Sequence, residues 1–172
     1  MIIVHTGDGK GKTTAALGQA LRAVGEGKRV LMIQFIKGPW KSGEDESAKL
    51  LAPSFQLRKM GKGFVGILGD TLPRKEHVKA AEEALVAARR EVEKNIWDVL
   101  ILDEIHNAIH LDLLRLQDVL DFMNNYPQEK HLILTGRDAS PEIIAMADLV
   151  SEIKDIKHPY HDGVKAKRGI EY

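Results

Sequence analysis

Apolar positions along the chain follow two alternating rhythms. Short β-branched and apolar runs, several of them apolar almost throughout, stand at residues 2–6, 29–35, 55–57, 99–103, 131–135 and 149–153. Runs of that kind predict strands buried on both faces of a sheet. Between them, longer segments of helical period occupy residues 12–25, 73–94, 116–124 and 141–147. The clearest is the second, where Val78, Ala81, Leu85, Ala88 and Val92 recur at spacings of three and four and form one apolar stripe. Ser140, Pro141 and Glu142 have the chemistry to start the last helix: a side-chain cap, a preset φ and a carboxylate at the positive end. Strands alternating with helices predict an α/β layer fold with a mainly parallel sheet flanked by helices. Residues 37–45 and 61–72 show neither rhythm and are expected to be loops. The second holds Gly61, Gly63, Gly66 and Gly69, and such loops beside a parallel sheet carry ligand contacts as often as they are bland surface.

Composition narrows the class. At 172 residues the chain matches one domain of roughly 150 residues, large enough to bury about 70% of its unfolded surface without staples. It has no cysteine, which excludes thiol catalysis, cysteine-ligated metals and disulfides. The 25 basic residues balance 25 acidic ones, which argues against a nucleic-acid binder held by bulk charge. Residues 1–9 lack the basic start and apolar run of a signal peptide, and no apolar stretch approaches the roughly 18 residues of a membrane span. A soluble cytoplasmic protein with no membrane partner is expected.

Directly after the first strand stands TGDGKGKTT, residues 6–14, which opens a helix. Strand, glycine-rich loop and helix in that order suit a phosphate-binding loop (P-loop). The glycines let backbone N–H groups approach phosphate oxygens, and the helix N-terminus adds partial positive charge. Lys12 supplies a full charge and Thr13 a hydroxyl for Mg²⁺. The usual spacing G-x-x-x-x-G-K-[ST] has glycine where this chain has Thr6, with Gly7 one place late, so the loop is a variant. The expected nucleotide contacts are Gly7, Asp8, Gly9, Lys10, Gly11, Lys12, Thr13 and Thr14. A glycine-rich turn with a solvated lysine is the alternative. Residues 99–104, VLILDE, form an apolar strand ending in two carboxylates. An acid so placed holds Mg²⁺ or its water shell in P-loop proteins, which makes Asp103 and Glu104 candidate ligands. Otherwise Asp103 caps the next turn and Glu104 is solvated.

The remaining features are less specific. Of seven histidines only His106 and His110 share a helical i, i+4 spacing, and with no third ligand apparent they are ordinary surface or hydrogen-bonded residues as readily as a metal pair. Lys165, Lys167 and Arg168 either draw a negatively charged substrate or form a solvated basic tail. Trp97 precedes a buried strand and is expected to pack, whereas Trp40 lies in the 37–45 loop, within reach of a ligand or a partner subunit.

Four blocks carry a family likeness: TGDGKGKTTAALGQALRAVG at 6–25, VLMIQFIKG at 30–38, LILDEI at 100–105 and LTGRDASPEIIAMADLVSEIKDIKHPYHDGVKAKRGIEY at 134–172. Together they make the chain resemble the ATP:corrinoid adenosyltransferases of the cobalamin pathway, of the P-loop type that work on cob(I)alamin or cob(I)yrinic acid a,c-diamide. The tail block discriminates most, since ordinary NTPases have no reason to end that way. The resemblance implies a three-layer RecA-like P-loop fold over residues 1–172 as a single domain, a homodimer, and transfer of the 5′-deoxyadenosyl group from MgATP to Co(I) with release of triphosphate. It also implies an electron donor that reduces Co(II). In that reading Lys12 cradles the distal end of the triphosphate, Thr13 and Glu104 bind Mg²⁺ with Asp103 beside them, and Arg22 and Gln34 lie in or near the nucleotide site. Co(I) is itself the nucleophile, so no general base is demanded, in keeping with the lack of a recognisable Ser/His/Asp set. The competing readings are a P-loop small-molecule kinase or NTP hydrolase, which yields ADP, and an ATP-dependent switch module, which transfers no carbon.

Two departures from the family follow. Its members carry an extension before the first strand that helps cover the site, whereas here the strand starts at Ile2, so closure is expected to come from other segments or to be looser. In the loop after Met60 the family often has an aromatic pair in a Gly-Phe-x-Trp context; here the run is GFVG, so Phe64 matches and Gly66 replaces the tryptophan. Phe64 is the expected contact to the lower corrin face, where the family uses apolar side chains to displace the axial ligand of Co(II). Packing of Phe64 under its own loop is the alternative.

Overall fold

The computed structural model describes residues 1–67 and 69–171; Leu68, inside the second glycine-rich loop, and Tyr172, the last residue of the fourth family block, lie outside the described residues. Six strands, β1 (Ile2–Thr6), β2 (Val30–Gln34), β3 (Phe55–Lys59), β4 (Val99–Asp103), β5 (His131–Thr135) and β6 (Leu149–Glu152), form one sheet in the order β3-β2-β4-β5-β1-β6. All pairs are parallel, with Ile3 beside Ile133 and Leu149, and Met32 beside Ile101 and Leu57. β2 and β4 are buried at every position, as near-continuous apolar runs require.

The helices cover both faces. On one, α1 (Lys12–Gly25) lays Ala16, Ala20 and Ala23 against Val30, Met32, Val99, Ile101 and Ile133. A stripe made only of alanine lets the helix approach the sheet closely and fixes the loop that precedes it. On the other, α3 (Arg74–Glu93) and α5 (Leu116–Asn124) cover Leu31, Ile33, Leu100, Leu102, Leu132 and Leu134. α3 buries His77, Ala80, Ala81, Ala84, Leu85, Ala88 and Glu91, so the seam is richer in alanine than the expected stripe, and Val78 and Val92 pack only partly. α6 (Pro141–Met146) starts as its sequence predicts, with Ser140 accepting from Ile143 N at 3.3 Å and Pro141 in the first turn.

Four segments correct the expectation. α2 (Gly43–Leu50) begins inside the supposed loop at 37–45. It buries no residue, so it has no apolar stripe, and its start rests on a capping box in which Ser42 N donates to Asp45 Oδ2 at 2.8 Å. α4 (Ile105–His110) is too short to show a period, and Pro159–Asp162 forms a 3₁₀ turn. β3 runs on to Lys59, two residues beyond the predicted end.

Candidate active site

In an open parallel sheet, ligand crevices form at the carboxyl ends of the strands. Four such ends converge here. β1 delivers residues 7–11, and Lys12 Nζ folds back to donate to Gly7 O at 2.5 Å and Gly9 O at 2.7 Å. Burial, then the charge of Arg137, lowers the Lys12 pKa. Thr6, the variant position, accepts from Ala139 N at 3.2 Å and so ties the loop to the chain beyond β5. The backbone after β6 braces it from the other side, with Gly9 N donating to Ile153 O at 2.8 Å. A Cβ on Gly9 would lie 2.5 Å from Lys154 O, so this position needs glycine for close approach.

β4 ends in Asp103, fully buried, and Glu104, partly buried. Asp103 Oδ1 accepts from Thr13 Oγ1 at 2.8 Å and Thr135 Oγ1 at 2.7 Å; Oδ2 accepts from Gln34 Nε2 at 2.9 Å. Helix α1 and strands β2, β4 and β5 therefore meet on one carboxylate. Because Thr13 donates its proton to Asp103, its oxygen lone pairs are left for another partner. Glu104 takes a left-handed backbone, φ 62°, unusual for a non-glycine residue, and its N–H donates to Thr135 Oγ1 at 2.9 Å. The turn places its side chain on the wall of a cavity of about 1230 Å³. Burial raises the pKa of both acids, and for Glu104 the neighbouring Asp103 charge adds to it. Two carboxyls crowded in this way, beside a hydroxyl with free lone pairs, are a hard oxygen set suited to Mg²⁺.

The cavity brings together residues 8–14, Glu104, Lys37, Asn107 and Arg137, with apolar lining from Leu17, Leu21, Leu51 and Phe55. The tail contributes Asp155, His158, Tyr160, His161 and residues 169–171, which gives the distinctive last block a physical role. Lys165, Lys167 and Arg168 are exposed and not among the lining residues. Gln34 stands behind Asp103, fully buried, with Oε1 unpartnered. Arg22 is exposed in the last turn of α1 and does not line the cavity, and neither does Phe64. His106 is buried, and burial lowers its pKa to about 4, whereas exposed His110 faces Asp138 at 3.4 Å; the two rings share no common site. Among the described residues no group of three His, Asp or Glu could hold a metal, and no helix is long and apolar enough to cross a membrane. Trp97 packs as expected, its indole donating to Glu91 Oε2 at 2.8 Å.

Sequence reasoning missed Lys37, Asn107, Thr135 and Arg137. A positional signal existed, since Lys37 follows the end of β2 and TGR spans the end of β5, the sheet edge that carries the phosphate loop.

The family described as ATP:corrinoid adenosyltransferase BtuR/CobO/CobP matches the chain over residues 1–172. The chain belongs to that family. Corrinoid adenosyltransferases similar to it include that of Escherichia coli K12, 41% identical over 172 residues, and CobA of Salmonella typhimurium LT2, 40% identical; each alignment covers 100% of this chain and 85% of the relative. The corrinoid adenosyltransferase of Sinorhizobium is 37% identical, with 100% and 80% covered. Among solved structures the flagellar accessory protein FlaH of Methanocaldococcus jannaschii matches with a TM-score of 0.52 at 13% identity, covering 88% of this chain and 69% of that one, a likeness of fold alone. In this adenosyltransferase family member, then, the phosphate loop and Glu104 line one cavity of a six-stranded parallel sheet, with Asp103 buried behind Thr13.

Proposed function

We propose that the protein transfers the 5′-deoxyadenosyl group of MgATP to the Co(I) centre of a corrinoid, cob(I)alamin or cob(I)yrinic acid a,c-diamide. The reading is supported above all by the convergence of Thr13, Asp103 and Glu104 beside the phosphate loop, where Thr13 and Glu104 line a cavity of about 1230 Å³. The electron pair of Co(I) forms the Co–C5′ bond, the C5′–O bond breaks, and its pair leaves on triphosphate while cobalt becomes formally Co(III). Lys12 exchanges its loop carbonyls for phosphate oxygens and carries the charge that accumulates on the leaving group. Residues 7–14 hold the triphosphate by backbone N–H groups and so align C5′ with cobalt. Thr13 and Glu104 would hold Mg²⁺, which supplies further neutralisation of the triphosphate; Asp103 keeps the Thr13 hydroxyl oriented. An electron donor that reduces Co(II), a homodimeric assembly, a single domain over residues 1–172 and a cytoplasmic location complete the proposal.

Protein, MgATP and chemically reduced corrinoid, incubated together, should show the Co(I) visible spectrum giving way to that of an alkylcobalt(III) corrinoid with one triphosphate released per turnover. ADP or phosphate in its place, with the corrinoid unchanged, would assign the site to a kinase or hydrolase.

A further inference from the structure

Trp40 and Phe64 come from different loops, after β2 and after β3, yet their rings meet with centroids 5.8 Å apart and planes inclined by 30°. Large aromatic side chains ordinarily spend their apolar area inside. Here Trp40 is 60% exposed and Phe64 47% exposed. Both are held out by a hydrogen-bonded frame. Lys59 Nζ donates to Trp40 O at 2.7 Å, to Ser42 Oγ at 2.9 Å and to Asp45 Oδ2 at 2.5 Å. Gly63 N donates to Ile36 O at 2.8 Å, which ties the two loops together. A Cβ on Gly63 would stand 2.4 Å from the Trp40 ring, so the indole rests directly on a glycine that also has φ 108°. Beyond Phe64, Asp70 accepts from Gly66 N at 2.8 Å and Leu72 N at 3.0 Å, and its Oδ1 faces the buried His77 Nε2 at 3.2 Å. Side chains so braced, and still exposed, are preorganised for a flat apolar ligand.

Their position relative to the cavity agrees. Lys37 and Gly43, three residues to either side of Trp40, both line it, and three residues of chain reach no more than about 10 Å. Trp40 therefore sits on a short stretch of chain whose two flanks line the cavity, and Phe64 is held against it. Neither offers cobalt a donor atom: phenyl has none, and the indole nitrogen is a donor of hydrogen only. Gly66, by contrast, presents no ring, and the space around its Cβ direction is empty within 4 Å.

We propose that Trp40 supplies the second ring of the corrin-binding surface, in place of the tryptophan that this chain replaces by Gly66, so that Trp40 and Phe64 together press on the lower face of the macrocycle. The proposal rests on the adenosyltransferase reading above. Its test uses the full chain with MgATP and cob(II)alamin, read by electron paramagnetic resonance for four-coordinate Co(II), together with corrinoid KM and kcat. Trp40→Ala should cut the four-coordinate signal severalfold and raise the corrinoid KM about tenfold. MgATP affinity should stay within about twofold, and kcat on prereduced Co(I) should fall less than the rate from Co(II). Trp40→Phe, which keeps a ring, should retain most of the signal. A wild-type signal and corrinoid KM in Trp40→Ala overturn the assignment. So does a loss shared by MgATP binding, because Trp40 would then serve only to hold the loops. Wild-type protein that fails to alkylate any corrinoid overturns the adenosyltransferase reading itself, an outcome distinct from an active wild type beside an equally active Trp40→Ala.

Discussion

Glu91, near the end of α3, and the pair Asp103–Glu104, at the end of β4, are all withdrawn from water, but their surroundings differ. Glu91 Oε1 accepts from Arg58 Nη1 and Lys94 Nζ, each at 2.7 Å, and Oε2 from the Trp97 indole. Burial alone would raise its pKa, yet these donors outweigh burial and hold it at about 2. Asp103 has three donors as well, but Thr13, Thr135 and Gln34 are neutral, and burial wins: its pKa is raised. For Glu104 the cations Lys37, Lys12 and Arg137 act through space and leave its pKa elevated too. The first acid is neutralised by the protein and serves to hold β3, α3 and the turn before β4 together. The second pair is left with negative charge that the fold does not balance, which is what a site needs if a cation is to arrive with the substrate.

The largest expected effect lies on the site side of this comparison. Lys12→Ala should cost about 2 to 4 kcal/mol of transition-state stabilisation, a drop in kcat/KM of about 30- to 1000-fold, with weaker MgATP binding by calorimetry. Near-normal kinetics in a folded variant would sink the phosphate-loop assignment. Glu104→Gln keeps size and removes charge, so activity should fall by about 10- to 100-fold and the Mg²⁺ requirement should rise. If Asp103→Asn does that damage while Glu104→Gln behaves as wild type, the buried acid is the ligand and the comparison must be redrawn around it.

On the structural side, Glu91→Gln should lower the free energy of unfolding by about 1 to 3 kcal/mol in urea titration while MgATP affinity stays unchanged. The folded-state pKa of Glu91 is depressed, so its contribution is fully present above the ordinary value of 4.5 and is lost as pH falls toward about 2. The stability gap between wild type and Glu91→Gln should therefore close across that interval. A gap that persists below it would mean that packing, not charge, carries the effect. The smallest effect on nucleotide binding is expected for Phe64→Ala, which should leave MgATP affinity intact and slow adenosylation from Co(II) corrinoid by about three- to tenfold. Loss of MgATP binding there would make Phe64 a packing residue.

Strands were legible wherever a run was apolar on both faces, so β1, β4 and β5 have the residues their sequence predicts. α2 escaped because GEDESAKL has no stripe to bury; only the Ser42 to Asp45 spacing marked its start. α4 escaped because it is a six-residue helix entered through a left-handed Glu104, a conformation that no local preference for glutamate announces. At the site, Lys12, Thr13, Asp103 and Glu104 were readable because their motifs are local. Arg137 and Asn107 were not, since what makes them neighbours is strand order: Arg137 N reaches Asn107 Oδ1 at 3.1 Å only once β5 lies beside β4. Glu91 was invisible as a centre for the same reason, with Arg58 on β3 and Trp97 just before β4, two places away in the sheet.

The bond from Gly9 N to Ile153 O sets an order of events in the making of the protein. The ribosome releases the phosphate loop before β2, β3, β4 and β5, and its brace only after all of them. β1 is flanked by β5 and β6, both late in the chain, so the strand that carries the loop waits for its neighbours. Contacts of such long sequence separation form slowly. Nascent protein should thus acquire nucleotide affinity in a single late step, and a chain arrested anywhere before Ile153 should emerge with its sheet partly built and its phosphate loop still unsupported.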